Sequence, residues 1–197
     1  VRILIVEDEP IIALDIQKTL LKMGYEVAAL VSTGEAAVEK AGETSPTIVL
    51  MDIMLAGKMD GIEAATIIKN RYNIPVVYLT GNADTGTVTR ARDSEPYGYV
   101  LKPVDPPHLF TTIDTSLQRF AMEERLRESE KKYRAIVENT HDAIYIYQDD
   151  TFVYGNTRFC ELSGYSLDEI MQKTFMDFVH PDDRERVIDI ARRRAQG

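Results

Sequence analysis

Four short apolar runs in this chain each end in a polar, chemically capable group. They are Ile3-Leu4-Ile5-Val6 before Glu7-Asp8, Ile48-Val49-Leu50-Met51 before Asp52, Val76-Val77-Tyr78-Leu79 before Thr80, and Tyr97-Gly98-Tyr99-Val100-Leu101 before Lys102-Pro103. A continuous apolar run suits a strand covered on both faces, as in a parallel sheet with helices on either side. In an open sheet of that kind ligands sit in the crevice at the carboxyl ends of the strands. Three acids, a hydroxyl and a lysine are therefore expected to converge there.

Between the runs lie helical patterns, so the order alternates strand and helix as far as about Phe120. Strands are expected at Arg2–Val6, Glu26–Val31, Thr47–Met51, Ile74–Leu79 and Tyr97–Leu101, and helices at Pro10–Met23, Gly34–Glu43, Gly61–Arg71 and Pro106 to about Phe120. Pro10 suits a first helical turn, Asp8 or Glu9 is placed to cap it, and Gly24 stops it. Ile11, Ile12, Leu14, Ile16, Leu20 and Leu21 predict a well-buried first helix. Strands separated by helices imply right-handed crossovers and a parallel sheet. Between Asn82 and Glu95, Thr85, Gly86, Thr87, Val88 and Thr89 are poor helix formers. A helix that frays or shifts easily is expected there.

Composition narrows the function classes. The 197 residues, 44% of them apolar, allow one large domain or two small ones. A net charge of -9 argues against non-specific nucleic-acid binding and against an anionic membrane surface. The single cysteine, Cys160, excludes an intramolecular disulfide and fits a reducing compartment. With no apolar run of membrane-spanning length and no signal peptide, a cytoplasmic protein is expected. The termini, Val1 and Ala195-Gln196-Gly197, read as those of a piece of a longer protein.

Carboxylates gathered at strand ends make a hard-oxygen site suited to Mg²⁺. An apposed lysine neutralises charge and can hold a phosphoryl oxygen, and a nearby threonine can donate to another. An aspartate between them can attack phosphorus and form an acyl phosphate. Such a transfer needs positioning and charge neutralisation more than acid–base work.

In these residues the chain resembles the receiver domain of two-component response regulators, over positions 1 to about 120. The resemblance rests on Glu7-Asp8, Asp52, Thr80, Lys102-Pro103, Tyr99 in the place of the switch aromatic, and Asp60-Gly61 at the turn into the third helix. It implies a flavodoxin-like α/β fold, doubly wound, with five parallel strands. The order 2-1-3-4-5 is carried over from the family and does not follow from spacing. It further implies that Asp52 is the phosphoacceptor for a histidine kinase or phosphotransfer protein. Asp8, Asp52 and the Met54 backbone carbonyl would hold Mg²⁺, with Glu7 acting through water. Lys102 would pair with Asp52 and then with the phosphoryl group, Thr80 would follow the phosphoryl oxygen, and Tyr99 would turn inward. The Lys102–Pro103 bond would be cis. Two departures stand out: the loop from Asp52 to Gly61 lacks the family's proline and is one residue longer. Met54 and Asn82 line the same approach route.

From Ser116 to Val137 the composition turns charged and breaker-free, with Leu126, Ser129, Tyr133, Ile136 and Val137 in a thin apolar stripe. This reads as a solvated helix or a short parallel coiled coil joining two protomers, and a homodimer through this helix and a receiver face is expected. The remainder resembles the front of a PAS domain, a partial α+β unit. The matching residues are Asn139-Thr140-His141-Asp142-Ala143-Ile144 as an opening strand, Phe152-Val153-Tyr154-Gly155-Asn156 as the second, Phe159 to Ser166 with Glu169-Ile170 as short helices, and Phe178-Val179-His180-Pro181-Asp182-Asp183 before a helix capped by Asp182 or Asp183. The family's three later strands are missing. Thr157 stands where light-sensing flavin versions place a reactive cysteine, so photo-adduct chemistry is not expected and the PAS ligand stays open. His141, His180 and Cys160 read as structural.

The division is then a receiver over 1–118, a helical linker over 119–137 and a PAS part over 138–197. The expected function is a phosphorelay receiver, itself no turnover enzyme, that passes its switch through a helix to a sensory or interaction domain. The alternative is the front of a receiver–PAS histidine kinase. A haloacid-dehalogenase-like enzyme would need an aspartate where Met54 stands.

Overall fold

The computed structural model describes residues 1–81, 85–149 and 151–195. The chain divides into two compact units, Val1–Arg125 and Leu126–Gly197. The first contains β1 (Arg2–Val6), α1 (Pro10–Lys22), β2 (Glu26–Val31), α2 (Gly34–Thr44), β3 (Ile48–Asp52), α3 (Gly61–Tyr72), β4 (Val76–Thr80), α4 (Thr85–Asp93) and β5 (Gly98–Leu101), followed by α5 (Pro106–Glu138). The five strands are all parallel, in the order β2-β1-β3-β4-β5.

Alternation along each strand divides the core into two layers. Leu4, Val6, Val49, Met51, Val76 and Tyr78 face a cluster that includes Ala37 and Ala41 of α2, Ile62, Ala65 and Ile68 of α3, and Ala91 of α4. Ile3, Ile5, Ile48, Leu50, Val77 and Leu79 face Ile16 and Leu20 of α1 and Leu109 and Ile113 of α5. Ile3 to Val6 and Ile48 to Met51 are fully buried, each stabilising the fold by roughly 1.5–3 kcal/mol. A carboxylate inside either run would have to be desolvated without a partner. The ends of the strands are the first positions where charge is tolerated, and that is where Glu7 and Asp52 stand.

Helix α1 is not buried all round. Ala13, Ile16 and Leu20 reach the sheet, while Ile11, Leu14 and Leu21 are exposed, since a single helix offers the sheet only one face. Neither acid caps it: Glu9 sits at the N-cap without a side-chain bond, and Asp8 instead accepts from the Ala56 N–H at 3.1 Å. Of the Asn82–Glu95 segment, Asn82, Ala83 and Asp84 lie outside the described residues, and Thr85–Asp93 forms α4. Helix α5 continues through Phe120 without interruption, because nothing between Phe120 and Glu138 breaks a helix.

In the second unit, β6 (Tyr145–Gln148) pairs antiparallel with β7 (Thr151–Gly155), and α6 (Thr157–Ser163), α7 (Leu167–Ile170) and α8 (Arg184–Ala195) follow. The opening strand starts after the Asn139–Ile144 motif, not within it. That motif is a turn tied down by the buried Asn156, whose amide donates to the carbonyls of Val137 and Asp142 and accepts from the N–H groups of Ile144 and Phe159. Two 3-10 turns, Phe175–Phe178 and Pro181–Asp183, precede α8. His180 caps the second turn, accepting from the Asp182 N–H through Nδ1 at 3.4 Å. The unit's core is aromatic: Phe152 meets the rings of Tyr145, Tyr147, Phe159 and Phe178 at 4.9–5.5 Å.

Candidate functional site

At the carboxyl edge of the first sheet, β1 delivers Glu7 and Asp8, β3 delivers Asp52, β4 delivers Thr80 and β5 is followed by Lys102. One carboxylate oxygen from each of Glu7, Asp8 and Asp52 lies within 4.8 Å of the others. Lys102 Nζ donates to Asp52 Oδ2 at 2.7 Å. The same ammonium stands 2.6 Å from Glu7 Oε2, a close ion pair whose approach falls outside hydrogen-bond geometry. Asp52 Oδ1 accepts from the Met54 N–H at 3.1 Å, which orients the carboxylate. A cleft of about 260 Å³ is lined by Asp8, Glu9, Asp52, Ile53, Met54, Thr80, Gly81 and Lys102. The Lys102–Pro103 peptide is cis.

Burial pushes the Glu7 carboxyl above its ordinary range, helped by the Asp52 charge and only partly offset by Lys102. Burial alone would lower Lys102, but its bond to Asp52 and the negative charges of Asp52 and Glu7 outweigh that and hold the ammonium protonated. Three carboxylates facing one ammonium leave the site short of positive charge. Glu7 Oε2, fully buried, receives no well-aligned donor. A divalent cation with oxygen preference answers both deficits, so the residues fit Mg²⁺. Asp8 and Asp52 contribute oxygens to that cluster, and Met54 lines the cleft beside them.

Thr80 lines the cleft, its hydroxyl donating to the Gly81 carbonyl at 3.2 Å. Tyr99 does not line it. Its ring lies beside that of Tyr78, centroids 5.9 Å apart, and is 39% exposed.

The loop leaving Asp52 is closed at its far end by α3. The Gly61 N–H donates to the Ile53 carbonyl at 3.2 Å. A Cβ on Gly61 would fall 1.8 Å from the Asp52 carbonyl oxygen, so only glycine fits. Asp60 caps the helix through Oδ1, accepting from Ile62 and Glu63, with Glu63 completing a capping box. Its Oδ2 accepts from Arg90 Nη2 of α4 at 2.7 Å. Burial alone would raise the Asp60 carboxyl, but these donors bring it below its usual range.

Sequence reasoning identified Asp60-Gly61 as a turn and missed Arg90. The capping box was legible in Asp-Gly-Ile-Glu. The Arg90 pair, thirty positions away on another element, carried no local signal.

The response regulator receiver domain family matches residues 3–114. This chain belongs to that family. The PAS fold family matches residues 131–197. The chain is 36% identical over 119 residues to the transcriptional regulatory protein PdtaR of Mycobacterium tuberculosis, across 60% of this chain and 58% of that one. It thus spans little more than half the length of the curated relatives it matches.

Among solved structures it is similar to the N-terminal domain of a response regulator/sensory box/GGDEF three-domain protein from Carboxydothermus hydrogenoformans. That match has 39% identity and a TM-score of 0.57, covering 62% of this chain and 98% of that one. It is also similar to the receiver domain of a Pseudomonas aeruginosa sensor histidine kinase, solved with a magnesium ion coordinated in the active-site cleft. Here the identity is 32% and the TM-score 0.53, covering 60% of this chain and 95% of that receiver. Among the described residues of the present chain, no helix is long and apolar enough to cross a membrane.

Proposed function

We propose that this receiver accepts a phosphoryl group on Asp52 from a phosphohistidine of a histidine kinase or phosphotransfer protein. The observation that carries the reading is the convergence of Glu7, Asp8 and Asp52 within 4.8 Å, with Lys102 bonded to Asp52 at 2.7 Å. An Asp52 oxygen attacks phosphorus, the imidazole N–P bond breaks, and the imidazole leaves with the bonding pair. When bound, Mg²⁺ supplies charge neutralisation at the transferring oxygens. Lys102 then releases its hold on the carboxylate and pairs with the phosphoryl group, and the Thr80 hydroxyl donates to another phosphoryl oxygen. Tyr99, half-exposed, moves toward the vacated space as the two-state element.

The partner reading has its own support. Exposed Ile11 and Leu14 border a groove of about 640 Å³ that also takes in Lys102, Pro103 and Val104, an apolar landing next to the cleft. A docked phosphohistidine there would stand beside Asp52. The switch is relayed through α5 to the PAS unit, which acts as a sensory or interaction domain in a cytoplasmic protein. The likeness to the Pseudomonas receiver favours one second reading, the front of a sensor histidine kinase. ATP-dependent autophosphorylation of the complete open reading frame separates the two.

Incubation with acetyl phosphate and Mg²⁺ tests the chemistry. Expected is one labile phosphoryl adduct, located by mass spectrometry on Asp52 and absent in Asp52→Asn and without Mg²⁺. An adduct elsewhere, or none in the native chain, overturns the proposal.

A further inference from the structure

Two backbone amides of the loop after β3 hold the two aspartates that line the cleft. The Met54 N–H donates to Asp52 Oδ1 and, two residues on, the Ala56 N–H donates to Asp8 Oδ2, each at 3.1 Å. Asp8 stands forty-eight positions away at the end of β1, so the second bond ties the loop to a different strand. The mount is firm on both sides of Ala56. Leu55 and Met59 pack against the apolar layer that includes α2 and α3. Met59 also fits the bare Gly34 at the start of α2, where a Cβ would fall 2.8 Å from the Met59 carbonyl oxygen and 2.9 Å from its Cγ. Ala56 itself is exposed, so its contribution is the amide and not the methyl group.

A carboxylate has to be aimed before it can serve a cation. An aspartate has two side-chain torsions to fix, and a ligand already held in place binds at a smaller entropic cost. Glu7 is fixed by complete burial, whereas Asp8 is only half-buried and needs another restraint. One amide hydrogen on Oδ2 orients the group and leaves most of its lone pairs for a cation. Carboxylates that ligate metals are commonly oriented by such a donor, and its loss weakens the metal about 10- to 100-fold. The missing proline in this loop is a condition for the tie, since a proline at position 56 has no N–H to give.

We propose that the Ala56 amide is the positioning donor for Asp8, through which the loop after β3 sets the affinity of this site for a divalent cation. This role rests on the Mg²⁺ reading above and belongs to the loop's backbone, so a change in the loop reaches the cation without altering any acid.

The full chain and its variants are to be titrated with Mg²⁺ alone, by calorimetry. Ala56→Pro removes the N–H and should weaken Mg²⁺ about tenfold, while Ala56→Ser keeps it and should stay within about twofold of the native chain. In an Asp8→Ala background Ala56→Pro should cost nothing further, because the group it orients is gone. A second measurement needs no proline: the Ala56 amide should exchange more slowly in the native chain than in Asp8→Ala. Native affinity in Ala56→Pro, an equal further loss in the Asp8→Ala background, or equal amide exchange in the two chains overturns the proposal. If Asp52 is phosphorylated by acetyl phosphate and those differences are absent, this role for the loop fails alone. If the differences are found and the native chain takes no phosphoryl group, the phosphoacceptor reading fails alone. A native chain that does not bind Mg²⁺ removes the cation and this role together.

Discussion

The Tyr78 hydroxyl, on a ring fully buried at the centre of β4, pairs with Ser94 Oγ at 2.8 Å and anchors the end of α4 to the sheet. Burial pushes its ionisation up to about 12. An unfolded tyrosine ionises near 10, so the fold favours the protonated phenol. Its contribution is complete below pH 10 and is lost as pH rises from 10 toward 12, a change on the order of 2 kcal/mol. Tyr78→Phe should flatten that part of a denaturant-midpoint profile against pH, at a neutral-pH cost of roughly 1 kcal/mol for the lost hydroxyl bond. An unchanged alkaline slope in the variant would show that other groups govern it. None of this was visible in the sequence, where Tyr78 was only one more apolar letter in a strand and Ser94 sat sixteen positions away.

Among the elements, what could be read early was whatever repeats along a strand or starts a helix. Glu7, Asp52, Thr80 and Lys102 were legible because each terminates an apolar run, and the sheet gathers those ends. The exposed side of α1 was not, since Ile11 and Leu14 look like Ile16 until the helix has a direction to face. Asn156 was read as the end of a strand, yet it holds the turn between α5 and β6 with four backbone bonds spanning nineteen positions. Asn156→Asp replaces the donating NH₂ with an acceptor aimed at two carbonyls. We expect a loss of about 1–3 kcal/mol in the second unit and lowered amide protection at Ile144 and Phe159. Unchanged protection would mean the turn stands without it. The capping role of His180 on the turn before α8 had no usable signal, because histidine is not among the residues favoured at a helix start.

For the molecule as a whole, charge at one sheet edge is the feature most exposed to conditions. Burial raises the Glu7 carboxyl, so ionising it counts against the fold as pH rises. Mg²⁺ binding only the folded receiver should stabilise it by about 2.7 kcal/mol at a hundredfold excess over its dissociation constant. The thermal midpoint should rise accordingly, and most of the rise should vanish in Asp8→Asn. Equal midpoints with Mg²⁺ and with K⁺ would remove the cation from the account.

The bond between Gly61 and Ile53 has a further consequence for how such chains can diverge. It ties the two feet of the loop together directly under the acceptor, and the bare α-carbon of Gly61 rests against the last carbonyl of the strand. Residues added or deleted between those feet enlarge or shrink only an outer rim. A change of length between those feet would alter what an approaching protein meets, while the carboxylate beneath keeps its place.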